Sequence, residues 1–166
     1  LTAVIDAKEG RDMAVIDIPN AYVQTRLENE EDKAVMRLFG KLAKLMVKVA
    51  PKIYTKYVII NRKGETVLYV CLLNALCGIM KAALLYYRRF ITDLQSIGFK
   101  INPYDPCVAN KNVKGKQLTV VWHVDDLKVS HRKPSVLTRM TEWLKSTYER
   151  LFDDGSGGMT FSRGKI

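Results

Sequence analysis

Apolar and polar positions alternate with period two in several short runs and with a period near 3.6 in three longer ones. That contrast predicts the order of elements. Residues 13–18 predict a first strand with Asp17 near its C-terminal end, closed by Pro19, which lacks a backbone donor. Residues 28–32 are acidic and predict a solvated loop. Apolar side chains at 35, 38, 39, 42, 45, 46 and 49 predict a helix over residues 35–49, stopped by Pro51. Its Lys41, Lys44 and Lys48 face is suited to phosphates or to plain solvation. Residues 54–60 and 66–72 predict two strands around the turn Asn61-Arg62-Lys63-Gly64.

The longest helix is predicted over residues 78–97, with Ile79, Ala83, Tyr86, Phe90, Leu94 and Ile97 as its apolar stripe and Gly98 as its cap. Strands at 107–110 and 117–124 follow, joined through 111–116. Val-Val-Trp-His-Val-Asp-Asp-Leu-Lys-Val-Ser-His, residues 120–131, then sets Asp125 and Asp126 between two strand-like runs. Asp is a poor strand residue and a good turn residue, so both carboxylates are expected at a hairpin tip. Pro134 stands at a helix start, and residues 136–148 turn Leu137, Met140, Leu144 and Tyr148 inward. Residues 152–158 read as a loop, and 159–166 as the start of a strand pair.

Taken together the core reads strand, helix, strand, strand, helix, strand. The expected class is α+β, a βαββαβ antiparallel sheet with its helices on one face. In such a sheet the first strand and the acidic hairpin can be neighbours, which would bring Asp17 to Asp125 and Asp126. The 166 residues suffice for one domain, and the apolar fraction of 48% excludes a disordered chain. Lys and Arg outnumber Asp and Glu by 27 to 17, a formal charge of +10, which favours a polyanionic partner such as nucleic acid. The longest uncharged run, residues 66–80 as far as Met80, is too short to span a bilayer, so no membrane partner and no secretory leader are expected. Cys71, Cys77 and Cys107 lack metal-site spacing and are expected as buried free thiols.

Three converging carboxylates raise one another's pKa, and a divalent cation resolves that conflict. Hard oxygen ligands suit Mg²⁺, and two such ions serve phosphoryl transfer. A solvated acidic turn is the competing reading of Asp125-Asp126. Asp153-Asp154, among Gly and Ser, is read as a solvated loop.

Four blocks in order resemble the reverse transcriptase of Ty1/copia-type retrotransposons, over roughly residues 10–150. They are Asp17-Ile18-Pro19-Asn20-Ala21-Tyr22, Leu76-Cys77-Gly78-Ile79-Met80-Lys81-Ala82-Ala83, Asn102-Pro103-Tyr104-Asp105-Pro106-Cys107-Val108, and His123-Val124-Asp125-Asp126. The resemblance implies a polymerase palm with a ferredoxin-like core and part of the fingers, acting as an RNA-directed DNA polymerase that uses two Mg²⁺ ions, with Mn²⁺ as a substitute. It implies Asp17, Asp125 and Asp126 as catalytic metal ligands, joined by the main-chain carbonyl of Ile18. It implies Tyr22 as a steric gate against the 2′-hydroxyl, with a core aromatic as the alternative. Asn20 and Ala21 would lie near the incoming triphosphate. Gly78 would allow close approach of nucleotide or template, or simply join loop to helix. Expected partners are an RNA or DNA template with its primer, dNTPs, and the integrase and RNase H of a Pol polyprotein. The expected setting is a cytoplasmic virus-like particle or the nucleus.

This chain departs from the family pattern at His123, where Tyr is usual, and at Met80-Lys81 and Ala83-Leu84. The charged fingers residues that grip the triphosphate are expected upstream of Leu1. The thumb and RNase H domain are expected downstream of Ile166, so the piece by itself is expected to lack parts the reaction needs. Two rivals stand beside this reading. One is a noncatalytic βαββαβ nucleic-acid-binding module using Tyr69 and Trp122; the other is an inactive relic of such a polymerase.

Overall fold

The computed structural model of the chain describes residues 2–148 and 160–165. The expected loop at 152–158, with Asp153 and Asp154, lies outside the described residues. In chain order the elements are α1 (Thr2–Glu9), β1 (Asp12–Asp17), β2 (Ala34–Phe39), α2 (Lys41–Val49), α3 (Pro51–Tyr54), β3 (Val58–Ile60) and β4 (Thr66–Leu72). They continue with α4 (Ala82–Ser96), β5 (Lys100–Ile101), β6 (Val108–Val113), β7 (Lys116–His123), β8 (Asp126–His131), α5 (Pro134–Tyr148) and β9 (Thr160–Lys165). The class is α+β, and every strand pairing is antiparallel. Among the described residues no helix is long and apolar enough to cross a membrane.

The chain divides into two compact units, Leu1–Thr25 with Leu76–Ile166, and Arg26–Ala75. The first holds a six-stranded sheet of order β5-β6-β7-β8-β1-β9. Alternation decides its faces. Ala14 and Ile16 of β1, Leu127 and Val129 of β8, and Val120 and Trp122 of β7 share one buried face by register. Helices α4 and α5 cover that face with Tyr86, Phe90 and Leu94 and with Leu137, Met140, Leu144 and Tyr148. Helix α4 ends as the glycine at its C-terminus requires: Gly98 has φ +88°, its N–H bonds Gln95 O at 2.9 Å, and Phe99 N–H bonds Leu94 O at 3.1 Å. These two bonds are a Schellman motif.

The other face carries α1, an element that periodicity did not predict. Asp6 on α1 is 1% exposed; it accepts from Lys128 Nζ at 2.6 Å and Ser130 Oγ at 2.7 Å, and lies 3.7 Å from Arg11. Arg11 also donates to Thr119 Oγ1 at 2.9 Å. The expectation of helices on one face thus holds for α4 and α5, while a buried ionic network ties α1 to the opposite side. Strand β9 pairs with β1, so the expected strand pair at 159–166 is, among the described residues, one strand closing the sheet.

The second unit is the three-stranded sheet β2-β4-β3 with α2 and α3. Its small core joins Leu38, Ala43 and Leu68. Here the predicted helix over 35–49 is corrected. Residues 34–39 form β2, because pairing with β4 buries Leu38 opposite Leu68. Gly40, at φ +59°, then turns the chain into α2. Pro51 ends one helix and opens the next, where its missing N–H costs nothing. The predicted strand over 54–60 is thereby shortened to Val58–Ile60.

Candidate functional site

Strand β1 delivers Asp17 to the sheet edge, directly opposite Asp126 of β8. One residue on, Ile18 N–H donates to the carbonyl oxygen of Asp125 at 3.1 Å, which locks the end of β1 to the hairpin. The two acids do not share the tip as expected. His123 and Asp126 are paired strand residues, and Val124 and Asp125 form the two-residue turn between them. Val124 has φ +56°, at the position that a type II′ turn gives to glycine. For a β-branched residue that conformation is strained, and such strain gathers where neighbouring structure over-determines the backbone.

The carboxylates feel one another. Asp17 is pushed up from its ordinary range, first by desolvation and then by the charges of Asp125 and Asp126. Among the described residues no group of three His, Cys, Asp or Glu side chains is drawn together closely enough to hold a metal ion as it stands. The donor chemistry nevertheless fits a hard divalent cation, since Asp17 and Asp126 are register partners on adjacent strands, Asp125 adjoins them, and the Asp17 carboxyl is raised by desolvation and by those two charges.

Beyond Pro19 the chain turns sharply. Asn20 is exposed at φ +50°, a conformation Asn tolerates, and Ala21 is buried in the core. Tyr22 is half-buried, its ring edge-on to Tyr86 at 6.1 Å between centroids. Gln24 Nε2 donates back to Pro19 O at 2.9 Å, and Arg89 of α4 donates to Gln24 O. Arg89 lies 5.1 Å from the Tyr148 ring and 3.5 Å from Asp93, whose carboxylate accepts from Tyr148 Oη at 2.5 Å. Burial and that hydrogen bond push the Tyr148 hydroxyl upward. Thus α4 and α5 buttress the loop that carries Asn20, Ala21 and Tyr22.

Tyr86 was expected only as part of the core stripe. Burial, then the charge of Asp125, push its hydroxyl upward, and Oη is buried without a hydrogen-bond partner. No local pattern distinguishes it from Phe90, one turn along the same stripe. Gly78 has φ +96°, which keeps it out of the helix predicted to begin there; α4 starts at Ala82. Space beside Gly78 is open, with nothing within 4 Å of an added Cβ.

Two further expectations are corrected. Trp122 is 4% exposed and packs 5.1 Å from Phe90, whereas Tyr69 is 52% exposed on the three-stranded sheet. Burial of Trp122 takes its ring out of reach of a stacked base. The cysteines are free, but Cys71 and Cys77 are exposed and Cys107 is half-buried, because the expected apolar neighbours do not enclose them. No protein-family model, curated protein or solved structure matches the chain.

Proposed function

We propose that this chain is the palm, with part of the fingers, of a copia-type reverse transcriptase, an RNA-directed DNA polymerase adding dNTPs to a primer 3′-hydroxyl. The observation that carries the reading is the pairing of Asp17 with Asp126, beside Asp125. Nucleotidyl transfer needs anionic oxygen ligands on a rigid frame, and the placement of Asp17 and Asp126 on paired strands with Asp125 in the adjoining turn supports the reading. The order β7-β8-β1-β9, with α4 and α5 on one face, is the order a ferredoxin-like βαββαβ palm requires and supports that finer fold.

Asp17, Asp125 and Asp126, with the main-chain carbonyl of Ile18, would hold two Mg²⁺ ions, or Mn²⁺ in their place. Bound there, the ions would supply acidity to the attacking hydroxyl and neutralise charge at the leaving pyrophosphate. The chain's own part is positioning. Tyr22, buttressed by Tyr86, would wall off the sugar 2′ position. Asn20 and Ala21 would border the triphosphate, and the open space beside Gly78 would admit nucleotide or template. A charge of +10 suits the backbone of an RNA or DNA template with its primer. The other Pol segments, integrase and RNase H, and a virus-like particle in the cytoplasm, or the nucleus, complete the proposed setting.

Titration of the chain with a fluorescent dNTP, with and without Mg²⁺, tests the reading. The expected result is binding that requires Mg²⁺ or Mn²⁺ and is lost in Asp125→Asn. Nucleic-acid binding indifferent to either metal, with no metal-dependent nucleotide binding, would overturn it in favour of a noncatalytic module.

A further inference from the structure

At the end of the six-stranded sheet away from Asp125, the β6–β7 hairpin, the segment that follows α4 and one side of α5 line an open cavity of about 490 Å³. Strand β7 separates the two ends. Its eight residues, Lys116–His123, span roughly 26 Å at ~3.3 Å per residue. The cavity lies within the size range of small-molecule sites, and its floor is apolar: Phe99, Leu118, Val136, Met140 and Trp143.

Its rim is cationic. Lys111, Lys114 and Arg139 line it, and no acidic residue does. Lys111 Nζ is held over the cavity by Ile97 O at 2.5 Å and lies 5.9 Å from the Phe99 ring. A carbonyl dipole and a ring face orient that ammonium but leave its charge in place. Among the described residues none of the three cations has a carboxylate within ion-pair distance. An apolar wall beside uncompensated positive charge concentrates the local potential.

The geometry points to a second ligand site here, one that takes a small amphipathic carboxylate: an apolar body on the Trp143–Met140–Leu118 floor and an anionic head between Arg139, Lys114 and Lys111. Neither half of the site selects that class by itself. A bare apolar cavity takes neutral molecules as readily, and a bare cationic rim takes any anion. Their combination disfavours both the uncharged analogue, which leaves the cations unpaired, and the small inorganic ion, which leaves the floor wet. The site stands apart from the acidic hairpin, and the inference holds whatever reaction that hairpin serves.

Calorimetric titration with decanoate, and with decanol as its uncharged counterpart, tests the assignment on the whole chain. Decanoate is expected to bind at one site at least roughly tenfold more tightly than decanol, as charge pairing beside a low-dielectric wall requires. Arg139 and Lys114 are exposed, so the double charge reversal Arg139→Glu with Lys114→Glu leaves the fold intact and is expected to erase that preference while sparing decanol. Trp143→Ala is expected to weaken both ligands, with thermal melting used to verify that the variant is folded. Equal affinity for the two ligands, a preference unmoved by the charge reversal, or no saturable decanoate binding overturns the proposal.

Discussion

Asp17 and Asp126 face each other across adjacent antiparallel strands, a pairing that sheets normally reserve for opposite charges. The cost falls on Asp17, whose carboxyl is raised by desolvation and by Asp125 and Asp126. A raised acid binds its proton more tightly in the folded state than in the unfolded one. It is therefore least unfavourable to folding below the unfolded carboxyl pKa, and becomes progressively more so as pH rises through the folded value. Asp17→Asn is accordingly expected to raise the melting temperature at neutral pH without divalent cations, and to lose that advantage below pH ~4. Melting curves across pH check this; a destabilised Asn variant at pH 7 contradicts it. On the proposed polymerase reading, Asp125→Asn is expected to abolish dNTP incorporation while primer–template binding stays within a few-fold. Retained incorporation would remove the metal-binding role.

Val124 occupies a positive φ that a β-branched side chain resists. Val124→Gly relieves about 1–3 kcal/mol of backbone strain and loses comparable packing and chain entropy. The net destabilisation is expected to stay below about 1 kcal/mol. Val129→Gly, in an extended and fully buried strand position, lacks that relief and is expected to cost about 3 kcal/mol or more. Urea denaturation of the two variants gives the comparison, and equal losses would mean that Val124 stores no strain.

Arg89 links α4 to the loop of the proposed sugar gate through Gln24 O. Arg89→Met keeps the aliphatic stem and removes the donor, so a loss of about 1–2 kcal/mol is expected. Amide exchange should speed most at Gln24 and Thr25. Uniform exchange changes across the chain would show that Arg89 serves global stability alone. On the proposed polymerase reading, Tyr22→Val is expected to admit ribonucleotides, and unchanged sugar discrimination would remove Tyr22 from the gate.

Asp6 holds Lys128, Ser130 and Arg11 together on the face of the sheet opposite α4 and α5. Asp6→Ala removes the carboxylate partner of Lys128 and the acceptor of Ser130, while Arg11 keeps Glu9 at 2.9 Å and Thr119, so a cost of about 2–3 kcal/mol is expected. The isosteric Asp6→Asn keeps one hydrogen bond to Ser130 and should cost less. Denaturant titration separates them, and a loss under about 1 kcal/mol for the Ala variant would mean that the network is solvated.

The sequence by itself determined those features that are written in consecutive residues. The four-residue spacing of Tyr86, Phe90 and Leu94 dictates a helix with one buried face, and Gly98 dictates where it stops, whereas Ala82 and not the expected Ala83 completes that face and Ile79 precedes the helix. The alternation on either side of the acidic pair dictates a hairpin, but local pattern set Asp125 and Asp126 together at its tip, and only the pairing of His123 with Asp126 fixed the turn at Val124-Asp125. Tertiary structure decided what depends on partners far along the chain. Residues 34–39 fit helical spacing but became a strand because β4 offered Leu68 to Leu38 and a ladder of backbone bonds. Neither α1 nor the burial of Asp6 is legible locally, because Lys128 and Ser130, more than a hundred positions away, enclose that carboxylate. The meeting of Asp17 with Asp126 belongs to both levels. Local pattern put each acid at a strand end, and the burial of Ile16 against Leu127 set the register that brought them together.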